Sequence, residues 1–386
     1  MAKVSKSSSI RTAIIGVGNC ASSLVQGRFY YADKTADVPG LITKNLGGYY
    51  TSDIEFVAAY DVDERKVGKD LSEAIFAPPN CTTIFQKHVP NLKCRVEMGY
   101  VIDSIAAHND KFADHQRFKP KPNVYKTSDS ARAAIVRSLK SREVEVVVNY
   151  LPVGSEKNTL FYADCAIEAG CAFVNAIPVF VSKLYGEKFR KAGLPVLGDD
   201  IKSQVGATII HRMLAKLFED RGQRIVHTYQ LNVGGNTDFM NMLDRTRLES
   251  KKISKTQSVT SQLNGGCPAP QDIYIGPSDY VSWLGDKKLC FLRIEGEQFG
   301  GVPMEVELRL SVEDSPNSAG VITDAVRAAR VALDRRLSGP IVEASAYLFK
   351  SPVKQYDDST ARTMLLKFGN NAAHSPKNSS KTLAGK

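Results

Sequence analysis

At 386 residues the chain exceeds the size at which a single hydrophobic core stops growing, and 43% apolar residues suffice for a large α/β domain with a second module attached. The net charge of +10 comes from dispersed lysines and arginines, with no C2H2 pattern or aromatic-interleaved RNA motif. No nucleic acid is therefore expected as a partner, and a phosphorylated small molecule suits the charge instead. No run reaches the roughly 18 to 20 apolar residues of a membrane helix, and MAKVSKSSSIR has nothing like a signal peptide's apolar stretch, so no membrane contact and a cytoplasmic location are expected.

Residues 1–9 are polar and Lys/Ser-rich and read as a disordered tail. A strand over Arg11–Ile15 then runs into Gly16-Val17-Gly18-Asn19-Cys20-Ala21, which opens a helix rich in small residues. In that context a G-x-G-x-x-[GA] turn lets the backbone approach a pyrophosphate at the helix N-terminus, although an ordinary glycine turn would look the same by itself. The second strand, Ile54–Tyr60, ends at Asp61, the position of a ribose-binding acid. That acid lies far beyond the usual spacing of about 20 residues, so the segment from Gly27 to Asp53 must be an insertion. An acid there favours NAD over NADP.

Further strands, Val144–Tyr150, CAFVNA and LPVLGDD, alternate with helices such as Leu160–Ala169, the pattern of a parallel sheet covered on both faces. Tyr150 and Pro152 of YLPVGS and Asn175 of NAIP close two of these strands, where an open parallel sheet places its ligand crevice. Either segment alone could be only a turn containing proline. In GDDIKSQ, Asp199, Asp200, Lys202, Ser203 and Gln204 gather at a helix start, which suits helix capping and phosphate binding equally. After Asp200 a helix ends at Gly222, and alternating segments such as KLCFLRIEG and MEVELRLSV indicate a more antiparallel sheet. A helix returns over Asp314–Leu333, and after about Phe368 the chain again reads as a disordered tail.

The second half also gathers Asn232, Asn236 and Asp238 in LNVGGNTDF, the lysines of SKKISK, the pair Lys287 and Lys288, and Lys350 of FKSP. Any one lysine is most simply a solvated surface residue. Together they suit a substrate that carries a phosphate and forms an oxyanion. No Ser-His-Asp order, HExxH or nucleophile elbow competes for the chemistry, and His211 reads first as a helix residue. The seven cysteines form no CxxC pair and read as reduced structural thiols.

GVGNCASSLVQG, FVAAYDVD, NYLPVGSE, FVNAIPVF, GDDIKSQVGAT, LNVGGNTDFMNML, RLESKKISKT, EDSPNSAG and YLFKSP together resemble the inositol-3-phosphate (myo-inositol-1-phosphate) synthase family in its shorter bacterial and archaeal form, from about Arg11 to about Leu366. The resemblance implies a homotetramer with a Rossmann-type NAD-binding domain over residues 10–200, a second α+β catalytic and tetramerisation domain over 201–313, and a segment over 314–367 that returns to the first. It implies catalytic roles for Lys251, Lys255, Lys288, Lys350, Asp200 and Asp238. Substrate contacts would fall to Lys202, Ser203, Gln204, Asn232 and Asn236, and cofactor contacts to Gly16, Gly18, Asn19, Ala21, Asp61, Ala131, Tyr150, Pro152, Asn175 and Asp199. Asp200 and Asp314 are weak candidate ligands for a divalent metal ion. The implied reaction oxidises glucose 6-phosphate at carbon 5, enolises it, closes the ring by an intramolecular aldol step and returns the hydride. A conventional NAD-dependent oxidoreductase of a phosphorylated sugar and a non-catalytic NAD-binding regulator are the competing readings.

Overall fold

The computed structural model describes residues 9–35, 39–247, 249–263 and 267–370; the side chains of 247, 249–251 and 277–278 are not among those described. The two expected tails therefore fall almost entirely outside the described residues. Strands β1 (Ile10–Ile15), β2 (Ile54–Asp61), β3 (Val96–Met98), β4 (Val146–Asn149), β5 (Ala172–Asn175) and β6 (Pro195–Leu197) build the first sheet. Between and around them lie α1 (Asn19–Tyr30), α2 (Leu71–Ala74), α3 (Ser128–Ser141), α4 (Glu156–Ala169), α5 (Val181–Leu184) and α6 (Gly186–Lys191). Next come α7 (Ala207–Asp220), β7 (Arg224–Gly234), α8 (Thr237–Asn241), α9 (Glu249–Thr260), β8 (Ile273–Tyr280), β9 (Lys287–Glu297) and β10 (Pro303–Glu313). The chain closes with α10 (Asp314–Asp334), β11 (Gly339–Pro340), α11 (Val342–Leu348) and α12 (Asp358–Asn370).

The first sheet is all parallel in the order β11-β6-β5-β4-β1-β2-β3. Its direction of winding reverses between β1 and β4, and an open α/β sheet holds its ligand at the carboxyl ends of the strands at that point. Alternation within β1 shows why both faces are covered. Ile10 and Ile14 join one core with α1, α10, α11 and α12, while Ala13 and Ile15 join the opposite core with α3 and α4. The insertion between α1 and β2 is present as irregular chain, and β1 and β2 still pair in parallel with Ile15 opposite Tyr60. Residues 62–127, between β2 and α3, hold little regular structure beyond α2 and β3.

The second sheet has the order β10-β9-β7-β8 and is mixed rather than antiparallel throughout. β7 and β8 run parallel because α8 and α9 carry the chain across between them, and a parallel pair requires such a crossover. Helices α7 and α9 cover one face of this sheet. Its open face carries Tyr229 directly opposite Tyr274, with Phe291 paired to Leu231 on the same side. Helix α10 then returns to pack on α1 and across β1, β4, β5 and β6. Helix α12 is described to Asn370, and Ala361, Leu365 and Phe368 share its buried face. Among the described residues no helix is long and apolar enough to cross a membrane.

Candidate active site

A cleft opens at the carboxyl ends of β1 and β4 and enclosed on the far side by the second sheet and α9. It holds about 1650 Å³ of non-atom space, open solvent at its mouth included. The dinucleotide turn forms one end. Gly16 adopts φ +88°, and a Cβ there would lie 2.7 Å from the Tyr150 carbonyl oxygen, so only glycine fits. A Cβ on Gly18 would meet nothing within 4 Å, which marks open space over the backbone. Helix α1 starts at that point with no side-chain cap and no acid in its first turn. Its first N–H groups have no intrahelical partner, as an anion site requires. Asp61 accepts from Val17 N at 2.8 Å on one carboxylate oxygen and from Val62 N and Asp63 N at 2.7 and 2.9 Å on the other, which fixes the acid at the cleft edge. Asn19 lines the cleft and accepts from Cys81 N and Thr82 N at 2.7 and 3.1 Å. Tyr150 and Pro152 form the wall, and the buried Tyr150 hydroxyl has no hydrogen-bond partner among the described residues. Empty space over Gly18, an uncapped helix start and a fixed acid fit a dinucleotide.

Lysines and carboxylates occupy the other end. Asp200 sits in the left-handed region at φ +60°. Its two carboxylate oxygens meet Lys350 Nζ at 2.7 Å and Ser254 Oγ at 2.7 Å, and Ser254 in turn accepts from Ser351 Oγ at 2.8 Å. Lys288 Nζ meets Asp314 at 3.1 Å. Burial works against its charge, yet Asp314 and Asp238 hold the ammonium above the ordinary lysine value. Lys255, 3% exposed, lines the same space, and so does Asp238. The side chain of Lys251 lies outside the described residues, although its backbone belongs to α9. Asn236 caps α8 by accepting from Asp238 N and Phe239 N, and it donates to Asp286 at 3.0 Å. Ser203 lies beside the start of α7, where Gly206, Ala207, Thr208 and Ile209 face the cleft without a side-chain cap. That is a second place for a phosphate.

Several expected contacts do not line the cleft. Asp199 turns the opposite way from Asp200, accepting from Asn175 Nδ2 at 2.7 Å and Ser182 N at 3.0 Å, and burial pushes its carboxyl up to about 7. Asn175 is likewise fully buried and supports the wall from behind. Lys202 points into the protein, to Asp358 at 3.2 Å and the Ala346 carbonyl at 3.1 Å. Arg212, also fully buried, shares Asp358 and reaches Ser258 on α9. Gln204 donates to the Gly40 carbonyl at 2.8 Å, and Asn232 to that of Gly276 at 2.7 Å. Ala21 and Ala131 are core residues with no exposure. Asp200 and Asp314 each face a lysine, and among the described residues no group of three His, Cys, Asp or Glu is placed to hold a metal.

Sequence reasoning missed two residues of consequence. Lys66 lines the cleft at 1% exposure, in a stretch without periodicity that could have marked it. Asp286, pushed up to about 6 by burial and by Asp314, accepts from Asn236 and from both the N–H and hydroxyl of Ser315. Its place two residues before Lys288 was a signal that could have been used, since residues i and i+2 of an extended chain share a side.

A Rossmann-type sheet with a lysine- and carboxylate-lined cleft at its switch point, enclosed by a second sheet, defines a two-module α/β enzyme. Residues 206–315 match the family described as myo-inositol-1-phosphate synthase. Inositol-3-phosphate synthase of Mycolicibacterium smegmatis is 55% identical over 366 residues, which cover 93% of this chain and 97% of that protein. The protein of the same name from Corynebacterium glutamicum is 52% identical over 369 residues, 94% of this chain and 98% of its own. A crystal structure of a myo-inositol-1-phosphate synthase-related protein from Thermotoga maritima shares the fold, with a TM-score of 0.75 at 24% identity and coverage of 94% and 98%. The chain belongs to the myo-inositol-1-phosphate synthase family, as its motifs implied.

Proposed function

We propose that this enzyme converts glucose 6-phosphate to 1D-myo-inositol 3-phosphate with NAD as a cofactor that is reduced and reoxidised within one turnover. The observation that carries the proposal is that Lys255, Lys288, Lys350, Asp200 and Asp238 share one cleft with the dinucleotide turn. The Gly16–Gly18 turn, the uncapped start of α1 and Asp61 would hold NAD, which would supply hydride-transfer chemistry at carbon 5. The uncapped start of α7, with Ser203 and Thr208, holds the substrate's phosphate. Oxidation at carbon 5 acidifies carbon 6. The substrate's own phosphate takes the carbon 6 proton, and the lysine ammonium groups stabilise the enolate oxygen that forms, in a cleft where charge is poorly screened. Carbon 6 then attacks the carbon 1 aldehyde, an intramolecular step favoured because both ends belong to one bound molecule. Asp200 and Asp314 hold Lys350 and Lys288 in place, and Asp314 keeps Lys288 charged.

The open face of the second sheet, with Tyr229, Tyr274 and Phe291 exposed, suits burial against another copy of the chain, and a homotetramer is the proposed assembly. The test of function is incubation with glucose 6-phosphate and substoichiometric NAD, followed by phosphorus NMR. An inositol monophosphate in many-fold excess over NAD is expected. Reduced nicotinamide accumulating in step with product would refute the cycle.

A further inference from the structure

Val17, the residue between the two glycines of the dinucleotide turn, is held at both its N–H and its carbonyl. Val17 N donates to Asp61 at 2.8 Å, and the Val17 carbonyl accepts from Lys66 Nζ at 2.7 Å and from Asn80 Nδ2 at 3.2 Å. A peptide unit is planar and trans, so holding the Val17 oxygen also fixes the Gly18 N–H on the opposite side. Gly18 is the residue with open space above it. Lys66 Nζ donates in addition to Asn80 Oδ1 at 2.8 Å, and the residue lines the cleft while only 1% exposed.

Burying an ammonium is costly unless it is paired and hydrogen-bonded, and Asn80 already holds the same carbonyl without a charge. Burial pulls the Lys66 ammonium below the ordinary lysine value, and Asp61 and Asp63 act against that pull. A neutral side chain would satisfy the turn at less cost. What the cation adds is positive charge behind the Val17–Gly18 peptide, where it polarises the carbonyl and strengthens the opposite Gly18 N–H as a donor to a pyrophosphate. We infer that Lys66 is a positioning residue for the cofactor: it aims the Gly16–Gly18 backbone and offsets the charge of the dinucleotide's phosphates. The inference rests on the NAD reading of the cleft.

The test uses the full-length enzyme and two variants, Lys66→Met and Asn80→Ala, with NAD affinity measured by calorimetry and with steady-state kinetics. Lys66→Met leaves the Val17 carbonyl to Asn80 alone and removes the charge behind the turn, so Kd and KM for NAD should each rise about tenfold. At saturating NAD, kcat and KM for glucose 6-phosphate should remain near wild type. A purely structural lysine would instead lower the melting temperature and the active fraction and leave KM for NAD unchanged. Asn80→Ala keeps the ammonium but loosens it and should raise Kd several-fold; it decides the matter should Lys66→Met not fold. Wild-type affinity in folded Lys66→Met, or in Asn80→Ala when that variant decides, overturns the role of Lys66 alone. Wild-type protein that binds no NAD overturns the cofactor reading and the inference together.

Discussion

Lys350→Ala separates chemistry from packing at the lysine end of the cleft. The ammonium lies 2.7 Å from Asp200 in a pair whose side chains are 14% and 5% exposed. Removing one partner of a buried pair leaves the other charge poorly compensated, at a cost of about 3–5 kcal/mol. Ser254 Oγ still donates to Asp200, so the lower end of that range is expected. The double variant Lys350→Ala with Asp200→Asn removes the stranded charge and should recover most of the lost melting temperature. If Lys350 stabilises the enolate, turnover in the single variant should fall about 10²–10³-fold, the usual effect of deleting one preorganised donor. Lys350→Arg should rescue poorly, because a guanidinium is wider and does not readily give up a proton. Turnover is read by phosphorus NMR of the product and stability by thermal melting. A single variant that loses stability yet keeps turnover within about tenfold of wild type would refute the reasoning, since Lys350 would then be only the counter-ion of Asp200.

Asp61→Ala should narrow the preference for NAD over NADP in calorimetry and should also weaken NAD itself, because the same carboxylate holds the Val17 N–H. Asp199 has a folded pKa of about 7 against 3.8, so its protonated form favours the folded state. That contribution is complete below pH 3.8, declines between 3.8 and 7 and is lost above, a change on the order of 4 kcal/mol at 1.36 kcal/mol per unit. Asp199→Asn should therefore flatten the stability profile across that window, and urea melts at pH 4, 6 and 8 measure it; an unchanged profile would count against an ionisable Asp199. Truncation after Asn370 should leave activity and melting temperature intact. Phe368→Ala, which empties a 5% exposed core position, should cost about 3–5 kcal/mol.

Strands were legible wherever a short β-branched run met a turn, as at Ile54–Asp61 and Val146–Asn149, because the burial of both faces imposes that pattern. The turn at Gly16 was legible because only glycine takes φ +88° against the Tyr150 carbonyl, and Asp61 because it closes a strand. Adjacent residues with opposite orientations were not. Nothing in GDDIKSQ distinguishes Asp200, which faces the cleft, from Asp199, which faces the core, or Ser203 from the buried Lys202. The reason is that a left-handed residue at Asp200 breaks any periodicity that could be extrapolated. Lys66 escaped for a related reason: residues 62–127 have little regular structure, and their positions are set by tertiary hydrogen bonds. The parallel pairing of β7 and β8 depends on the path of α8 and α9 and is invisible in the alternation of either strand.

The sheet of the first module is sealed by parts of the chain that are made last. One of its faces is covered by α10, α11 and α12, and its edge strand β11 comes from the same region. On a ribosome, β6 emerges well before Asp334, the end of α10. At about 5–20 residues per second the apolar face would wait roughly 7 to 27 s for its cover. The N-terminal 200 residues therefore do not constitute a unit that can be made alone. Released as a fragment, they would present the face that Ile10, Ile14, Val146 and Val148 share with the missing helices, and aggregation is the expected fate. Vulnerability during synthesis, rather than in the finished enzyme, is what this order of assembly imposes on the cell.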